Sequence, residues 1–333
     1  MPTLKEISEK SGYSMATISR VLNGDPSMRV KDATRKAILD AAEDLQYQPG
    51  RYFRANGMQD MTWHIVHNFP KKEELIDPYY LAVRHGVENG LSRLGVYCKY
   101  SYSDVQEQIN WKQDLALMVG FTSYSQVEKF APDFHKTVFI DSIMPGFDSV
   151  TTKLKDSVGL VFEHLYSLGH RDILFIGARD EMEQMDQRER AYHQISSLYK
   201  IFHKNKILNS GQFSVEAGYK CLKQYLSKRR KLPTAIIAAS DSLAIGALHA
   251  LHEKNIEIPN DISITGINGI PMSEFTQPGL TTVKLPAEAM GEYAVYMLQE
   301  KLLAKRVHPI EVLFSPHLLV RLCSAKVIGA SLI

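Results

Sequence analysis

The sequence predicts an α/β protein in which a small all-α head precedes a core of two lobes, each a doubly wound parallel sheet. The first 48 residues place apolar side chains at helical spacing around a tight turn. From Trp63 onward, short apolar runs alternate with amphipathic stretches, a pattern typical of parallel strands covered by helices on both faces. A chain of 333 residues with 44% apolar residues is long enough for two or three domains.

The head is predicted to be a helix-turn-helix. Gly12 marks a tight turn after a first short helix that contains Leu4 and Ile7. In the second helix the apolar side chains repeat at i, i+3 and i+4, and the opposite face is left for contacts with a partner. That opposite face carries Met15, Ala16, Thr17 and Arg20. An ordinary helical hairpin with a solvated outer face fits the same spacing.

A third helix is expected, with Ile38, Ala41, Ala42 and Leu45 on its inner side. It would close the head into a three-helix unit. Pro49 and the glycine after it end this helix, because proline cannot continue a helical hydrogen-bond pattern.

The head sequence from Thr3 to Asn23 resembles the DNA-binding head of the LacI/GalR family of bacterial regulators. The core resembles the same family in three hallmark segments, which are Leu168–Gly177, Ser240–Gly246 and Pro278–Val283. The segment Asp77–Gly86 is particularly similar to the branch that contains the repressor of the evolved β-galactosidase operon. The resemblance covers essentially the whole chain and implies a core of the periplasmic-binding-protein type.

The resemblance implies three parts. They are a helix-turn-helix domain at 1–48, a hinge at 49–60, and an effector-binding and dimerisation core at 61–333. Within the core, the expected lobes are 61–153 with 285–311, and 154–284 with 312–333.

The hinge departs from the family pattern. The family usually has Ala followed by Leu here, and the Leu wedges into the minor groove and kinks the DNA. In this chain Ala55 is followed by Asn56 where the Leu is expected, so that Phe53 or Tyr52 would have to substitute unless the kink is smaller. Arg54 and Asn56 are the hinge residues expected to contact the minor groove or a phosphate.

The DNA-contacting residues implied by the resemblance lie at the start of the second helix. Met15 and Ala16 occupy the positions that discriminate operators in the family, where they would read a thymine methyl group or DNA shape. Arg20 is expected to bind guanine O6 and N7. The residues expected to reach phosphate oxygens are Ser14, Thr17 and Asn23, with helix capping as the alternative role of Ser14.

Aligned on the family motifs, five side chains fall on effector-contacting positions: Asp141, Arg188, Phe213, Ser240 and Asn268. Asp141, Ser240 and Asn268 directly follow apolar runs, and ligands collect at the carboxyl ends of parallel strands. Their chemistry suits a sugar, because a carboxylate accepts from hydroxyls, a guanidinium donates to two oxygens and a phenyl ring covers an apolar sugar face.

Two of these positions depart from the family, which often has Asn at Ser240 and Asp at Asn268. Both changes alter which hydroxyl groups the pocket would hold. Asp241, which follows Ser240, is expected to cap the next helix.

The branch resemblance suggests galactose or a β-galactoside as the effector of a sugar-utilisation operon, with release from the operator on sugar binding. Because Phe213 also suits a flat purine ring, a purine co-repressor stays open. The expected partners are therefore operator DNA, a small-molecule effector and a second copy of the chain. A dimer is expected because no heptad stretch follows Val320.

Charge, apolar runs and motif spacing limit which other functions this chain could have. The net charge is only +2, and residues 1–59 hold nine Lys or Arg against seven Asp or Glu, so DNA recognition would depend on individually placed side chains. No signal segment or long apolar run is seen, which predicts a cytoplasmic protein rather than an exported sugar-binding transport protein. No nucleotide-binding or metal-ligand spacing is present, so no cofactor, metal or enzymatic activity is expected. Nothing supports a phosphocarrier protein as an alternative effector.

Overall fold

A computed structural model describes residues 4–22, 30–45, 61–104, 110, 114–128, 133–179, 185–228 and 231–327. The chain divides into two units, essentially an N-terminal head and a core, and each is described by itself. Three residues expected to contact DNA lie outside the described residues: Asn23, Arg54 and Asn56.

The head is a three-helix unit. Its helices are α1 (Leu4–Ser11), α2 (Met15–Leu22) and α3 (Asp32–Asp44). Ile7, Ile18 and Ile38, one from each helix, are fully buried against one another. Gly12 has a φ of +74°, a backbone conformation that glycine adopts without strain, and this permits the tight turn between α1 and α2. The predicted helix-turn-helix is confirmed.

The described strands of the core form two six-stranded sheets. The first sheet contains β1 (Trp63–His67), β2 (Cys98–Ser101), β3 (Leu115–Val119), β4 (Thr137–Ile140), β5 (Asp148–Thr152) and β11 (Glu311–Phe314). The second sheet contains β6 (Ile173–Gly177), β7 (Ile207–Asn209), β8 (Ala235–Ala238), β9 (Ser263–Asn268), β10 (Thr281–Lys284) and β12 (His317–Leu319).

Helices follow most of the strands, as is usual for parallel pairing; β4 and β5 are joined by 141–147 without a helix. Those before β6 are α4 (Lys71–Ile76), α5 (Pro78–Leu94), α6 (Tyr124–Glu128) and α7 (Leu154–Ser167). Those after β6 are α8 (Gln187–Leu198), α9 (Val215–Lys228), α10 (Asp241–Glu253) and α11 (Ala287–Ala304). Short 3₁₀ helices occupy Phe134–Lys136, Lys204–Lys206 and Pro271–Glu274.

Strand order shows two lobes of the same design. The first sheet runs β11-β5-β4-β3-β1-β2 and its pairs are parallel. The second runs β12-β10-β9-β8-β6-β7, with β12 antiparallel to β10. In each sheet the chain order reverses beside the first strand, β1 or β6, and such reversal points are where ligands bind in open α/β sheets. The predicted fold class is confirmed.

The chain passes from the first lobe to the second after β5, returns after β10, and passes across again between β11 and β12. The last passage comes later than the expected boundary at residue 311. Strand β11 pairs with β5 from Glu311 opposite Ser149 to Phe314 opposite Thr152, so residues 311–314 belong to the first sheet. No helix among the described residues is long and apolar enough to cross a membrane.

A buried carboxylate ties the end of α11 to β5 and β11. Asp148, at the start of β5, is fully buried and accepts hydrogen bonds from both terminal guanidinium nitrogens of Arg306 at 3.0 and 2.8 Å. The backbone N–H of Ile310 donates at 2.7 Å, and the ammonium of Lys301, itself buried, lies 3.3 Å away. Burial alone would raise the pKa of Asp148, but these hydrogen bonds and charges outweigh burial and lower the pKa.

We expect Asp148→Asn to lower the free energy of unfolding by about 3–5 kcal/mol, because Lys301 and Arg306 would lose their buried counter-charge. The measurement is the urea midpoint of the full chain. Glu300→Gln is the control: Glu300 also bonds Arg306, at 3.0 Å, but its side chain is only half-buried, whereas Asp148 is fully buried, so its loss should change stability by about 1 kcal/mol or less. Equal shifts for the two variants would contradict this account.

Candidate functional site

The outer face of α2 presents the residues expected to read DNA. Ser14, Met15, Ala16 and Arg20 are exposed, and Thr17 is half-buried. The Ser14 hydroxyl accepts a hydrogen bond from the backbone N–H of Thr17 at 3.2 Å, which makes Ser14 the N-cap of α2. The exposed Met15 is held at the first turn of the helix by this cap.

In the first lobe, Asp141 directly follows β4 and faces a tyrosine. Its φ of +64° lies in the left-handed region, and its backbone N–H donates to the carbonyl of Val150 at 2.9 Å. The hydroxyl of Tyr79, a buried residue at the start of α5, donates to Asp141 Oδ1 at 2.8 Å. Tyr80 packs between Tyr79 and Phe69, with ring centroids 5.3 and 4.4 Å apart, respectively.

In the second lobe, Arg188 lies in the first turn of α8 and is held from three sides. Its Nε donates to Asp186 Oδ1 at 2.8 Å and its Nη2 to Asp186 Oδ2 at 3.2 Å. Its Nη1 donates to the carbonyl of Ala239, after β8, at 2.9 Å. The guanidinium carbon lies 4.3 Å from the centroid of the Phe213 ring. These contacts give Arg188 one fixed orientation.

Asp186 is also the N-cap of α8, since its side chain accepts from the backbone N–H of Arg188 at 2.8 Å. Burial alone would raise the pKa of Asp186, but the charge and the hydrogen bonds of Arg188 outweigh burial and lower the pKa. Asp186 therefore stays ionised beside the arginine.

The two lobes bring charges together around Asp141. Burial raises the pKa of Asp141 to about 6; the Tyr79 hydrogen bond and Arg188 oppose this rise, while the charges of Asp186 and Asp77 add to it. Asp77, immediately before α5, accepts from the backbone N–H of Tyr79 at 3.1 Å. Asp141 and Asp77 of one lobe thus lie near Arg188 and Asp186 of the other.

Ser240 and Asn268 lie at the same edge of the second sheet. The pairing of β8 with β9 sets residue 235 opposite 263, and continuing this register puts 240 level with 268. Ser240 is fully buried, and its hydroxyl accepts from the backbone N–H of Leu243 at 3.2 Å as the N-cap of α10. Asn268 is buried with a φ of +117°.

The expected capping role of Asp241 is wrong, because Ser240 caps α10 instead. Asp241 is fully buried, and its carboxylate accepts from the backbone N–H of Ile270 at 2.8 Å and from the hydroxyl of Thr282. Asp241 therefore links α10 to the segment after β9 and to β10.

The structure thus brings Asp141, Arg188 and Phe213 together and puts Ser240 beside the carbonyl that Arg188 binds. Four neighbouring residues were not predicted to belong to the site: Asp77, Tyr79, Tyr80 and Asp186. The signal for three of them was the run Asp-Pro-Tyr-Tyr after the first strand, since Asp and Pro begin helices and the sheet reverses its order there. Asp186 carries the ordinary signal of an N-cap.

A helix-turn-helix head followed by a two-lobed core with a polar cleft defines a class of bacterial transcription regulators. The family model described as bacterial regulatory proteins, lacI family, matches residues 3–50, and the periplasmic binding protein-like domain matches residues 162–323. The regulator GalR of Lacticaseibacillus casei is 30% identical over 97% of this chain and 100% of its own length. GanR of Bacillus subtilis is 33% identical over 92% of this chain and 94% of its own length.

The chain belongs to the lacI family of bacterial regulatory proteins and is a transcriptional regulator, not an enzyme. Solved structures share its fold. The complex of the regulator CelR with cellobiose has a TM-score of 0.68 at 21% identity, covering 97% of this chain and 100% of the other. The lac repressor dimer bound to operator and the anti-inducer ONPF has a TM-score of 0.67 at 20% identity, covering 97% and 99%.

We expect Asp141→Asn to stabilise the ligand-free protein at pH 7.5 by about 1–3 kcal/mol, because a pKa of about 6 makes the ionised carboxylate unfavourable in the folded state. A folded-state pKa above the unfolded value of 3.8 gives stability that is present below pH 3.8 and lost as the pH rises through 6. The gain from the substitution should therefore shrink between pH 7.5 and pH 5.

Thermal melting at a series of pH values measures this gain. Glu163→Gln, which removes a carboxylate from the exposed face of α7, is the control and should give no comparable pH-dependent gain. A gain for Asp141→Asn that stays constant or grows toward pH 5 would contradict the assigned ionisation.

Proposed function

We propose that this regulator is a repressor of a galactose or β-galactoside utilisation operon, that it binds its operator as a homodimer, and that a sugar in the cleft between the lobes releases it. The observation that carries the sugar assignment is the fixed Arg188 facing Asp141. A guanidinium with one orientation and a carboxylate opposite it match the donors and acceptors of neighbouring sugar hydroxyls.

The names of the relatives agree with this ligand class. They include the regulators GalR and GanR, and the structural neighbour CelR was solved with cellobiose. A purine co-repressor is the alternative: the Arg188 guanidinium covers one face of the Phe213 ring, so a purine would have to stack on the opposite face. Phe213 is better suited to supporting Arg188, with its edge and opposite face left for apolar parts of a sugar.

The mechanism follows from linkage between the two binding events. A sugar that binds one arrangement of the lobes more tightly than the other shifts the population toward it, and operator affinity changes by the same coupling factor. Two heads on a pseudo-palindromic operator bind together only while the dimer holds them at the required spacing. The sugar would act by making that spacing less populated.

We expect Arg188→Ala to abolish the sugar response while operator affinity in the absence of sugar stays within about threefold. The substitution removes the guanidinium, whose Nη1 and Nη2 each keep a second N–H beyond the bonds to Asp186 and Ala239, and it does not touch the head. The measurement is operator binding in a gel-shift titration with galactose, lactose, glucose and purines. Arg190→Ala, an exposed arginine two residues further along α8, is the control and should respond like the parent protein. A normal response in Arg188→Ala would contradict the assigned pocket.

We expect Arg20→Ala to lose about 1–3 kcal/mol of preference for the operator over unrelated DNA, because a bidentate contact to guanine would be removed. Salt-sensitive binding to unrelated DNA should remain. The comparison is made by fluorescence anisotropy with operator and scrambled duplexes. Arg35→Ala, an exposed arginine on α3, serves as control; an equal loss of preference there would count against Arg20 as a base reader.

A further inference from the structure

The cleft contains more carboxylate side chains than cationic side chains. Asp77 and Asp141 stand on the first lobe, and Asp186 stands beside Arg188 on the second. The charge of Asp77 acts on both Arg188 and Asp141, so these groups share one electrostatic environment. Three carboxylates and one guanidinium give these four side chains a formal charge of −2 when all are ionised.

The guanidinium of Arg188 already binds acceptors of its own lobe. Arg188 uses Nε and Nη2 on the two oxygens of Asp186, and Nη1 on the carbonyl of Ala239. Arginine commonly binds phosphate or carboxylate ligands with that same fork of donors. Here the fork is occupied by Asp186, so an anionic ligand would have to displace a carboxylate of the protein.

The surroundings weaken screening of these charges. Tyr79 is buried, Tyr80 packs against it, Phe69 packs against Tyr80, and Phe213 covers one face of Arg188. Charges among aromatic rings interact several times more strongly than charges in water. The hydroxyl and the backbone N–H of Tyr79 already donate to Asp141 and Asp77, so the first lobe offers a ligand carboxylate acceptors, which suit the hydroxyl groups of an uncharged sugar.

Resting on the sugar-binding function proposed above, we propose that Asp77 and Asp186 fix the charge class of the effector, so that the cleft accepts an uncharged sugar and rejects sugar phosphates and sugar acids. Asp77 repels an anion directly from the first lobe. Asp186 does so by occupying the donors of Arg188. Both residues determine specificity without any role in the choice among uncharged sugars.

The test is calorimetric binding of matched pairs to the full-length protein at pH 7.5: galactose with galactose 6-phosphate and with galacturonate, and glucose with glucose 6-phosphate. The expected result is that the uncharged member binds at least tenfold more tightly. Equal or tighter binding of an anionic member overturns the proposal and leaves the sugar function standing. Binding of no sugar in either form contradicts both.

Variants that remove one charge distinguish electrostatic repulsion of an anionic ligand from its steric exclusion. Asp77→Asn should lower the ratio of the two affinities, that of the uncharged ligand over that of its anionic partner, at least threefold. The reason is that one repulsive charge is removed at nearly constant side-chain volume. Asp186→Asn should lower this ratio as well, since the fork of Arg188 becomes available. Glu128→Gln, which removes an exposed carboxylate from α6, is the matched control and should leave the ratio unchanged. Unchanged ratios in both cleft variants would mean exclusion by size and overturn the assignment.

Discussion

The ion pair between Arg188 and Asp186 organises the cleft. It fixes the guanidinium at the start of α8, and the hydrogen bond to the Ala239 carbonyl ties that helix to the end of β8. Since both partners lie mostly out of water, breaking one would leave the other as a buried unpaired charge. The position of Phe213 and the charge felt by Asp141 both depend on this arrangement.

Three aspartates of the core, Asp148, Asp241 and Asp141, show why environment, rather than residue type, identifies a binding group. Asp148 is surrounded by cations and its pKa is lowered, so it stabilises the fold. Burial raises the pKa of Asp241 to about 7, against hydrogen bonds from Thr282 and Ile270, and this carboxylate is sealed inside the second lobe. Asp141 also has a raised pKa, but it is half-buried and faces charges of the other lobe. Only the last combination leaves a carboxylate that a ligand can satisfy.

The sequence predicted the architecture well where local pattern and tertiary structure agree. The run Thr137–Ile140 was expected as a strand and is β4, and the run from Asp172 to Gly177 became β6 with one residue fewer. The head was predictable because each of its helices buries one apolar stripe. Such patterns depend on residues close together in the chain.

The cleft was only partly predictable, because its members come from distant segments. Asp141 and Arg188 were found through the family resemblance, whereas Asp186 and Asp77 carry signals that also belong to ordinary helix caps. The wrong assignment of the cap to Asp241 has the same origin: serine and aspartate both cap helices, and only the tertiary structure shows that Ser240 is the cap while Asp241 bonds Thr282 of β10. The crossing after Phe314 depends on pairing with β5, about 160 residues earlier, which local sequence does not encode.

The free energy held at Asp141 is of the size that regulation requires. A carboxylate whose pKa rises from 3.8 to about 6 is destabilised by roughly 3 kcal/mol when ionised at neutral pH, at 1.36 kcal/mol for each unit. Couplings between effector and DNA sites are typically about 1–3 kcal/mol. Under the proposed function, a sugar whose hydroxyl groups donate to Asp141 would relieve this unfavourable energy in the arrangement of the lobes that brings the sugar and Asp141 into contact. The energy of the ionised carboxylate in the free protein would then contribute to a difference in the affinity of the sugar for the two arrangements of the lobes. Such a difference is the quantity that shifts a population.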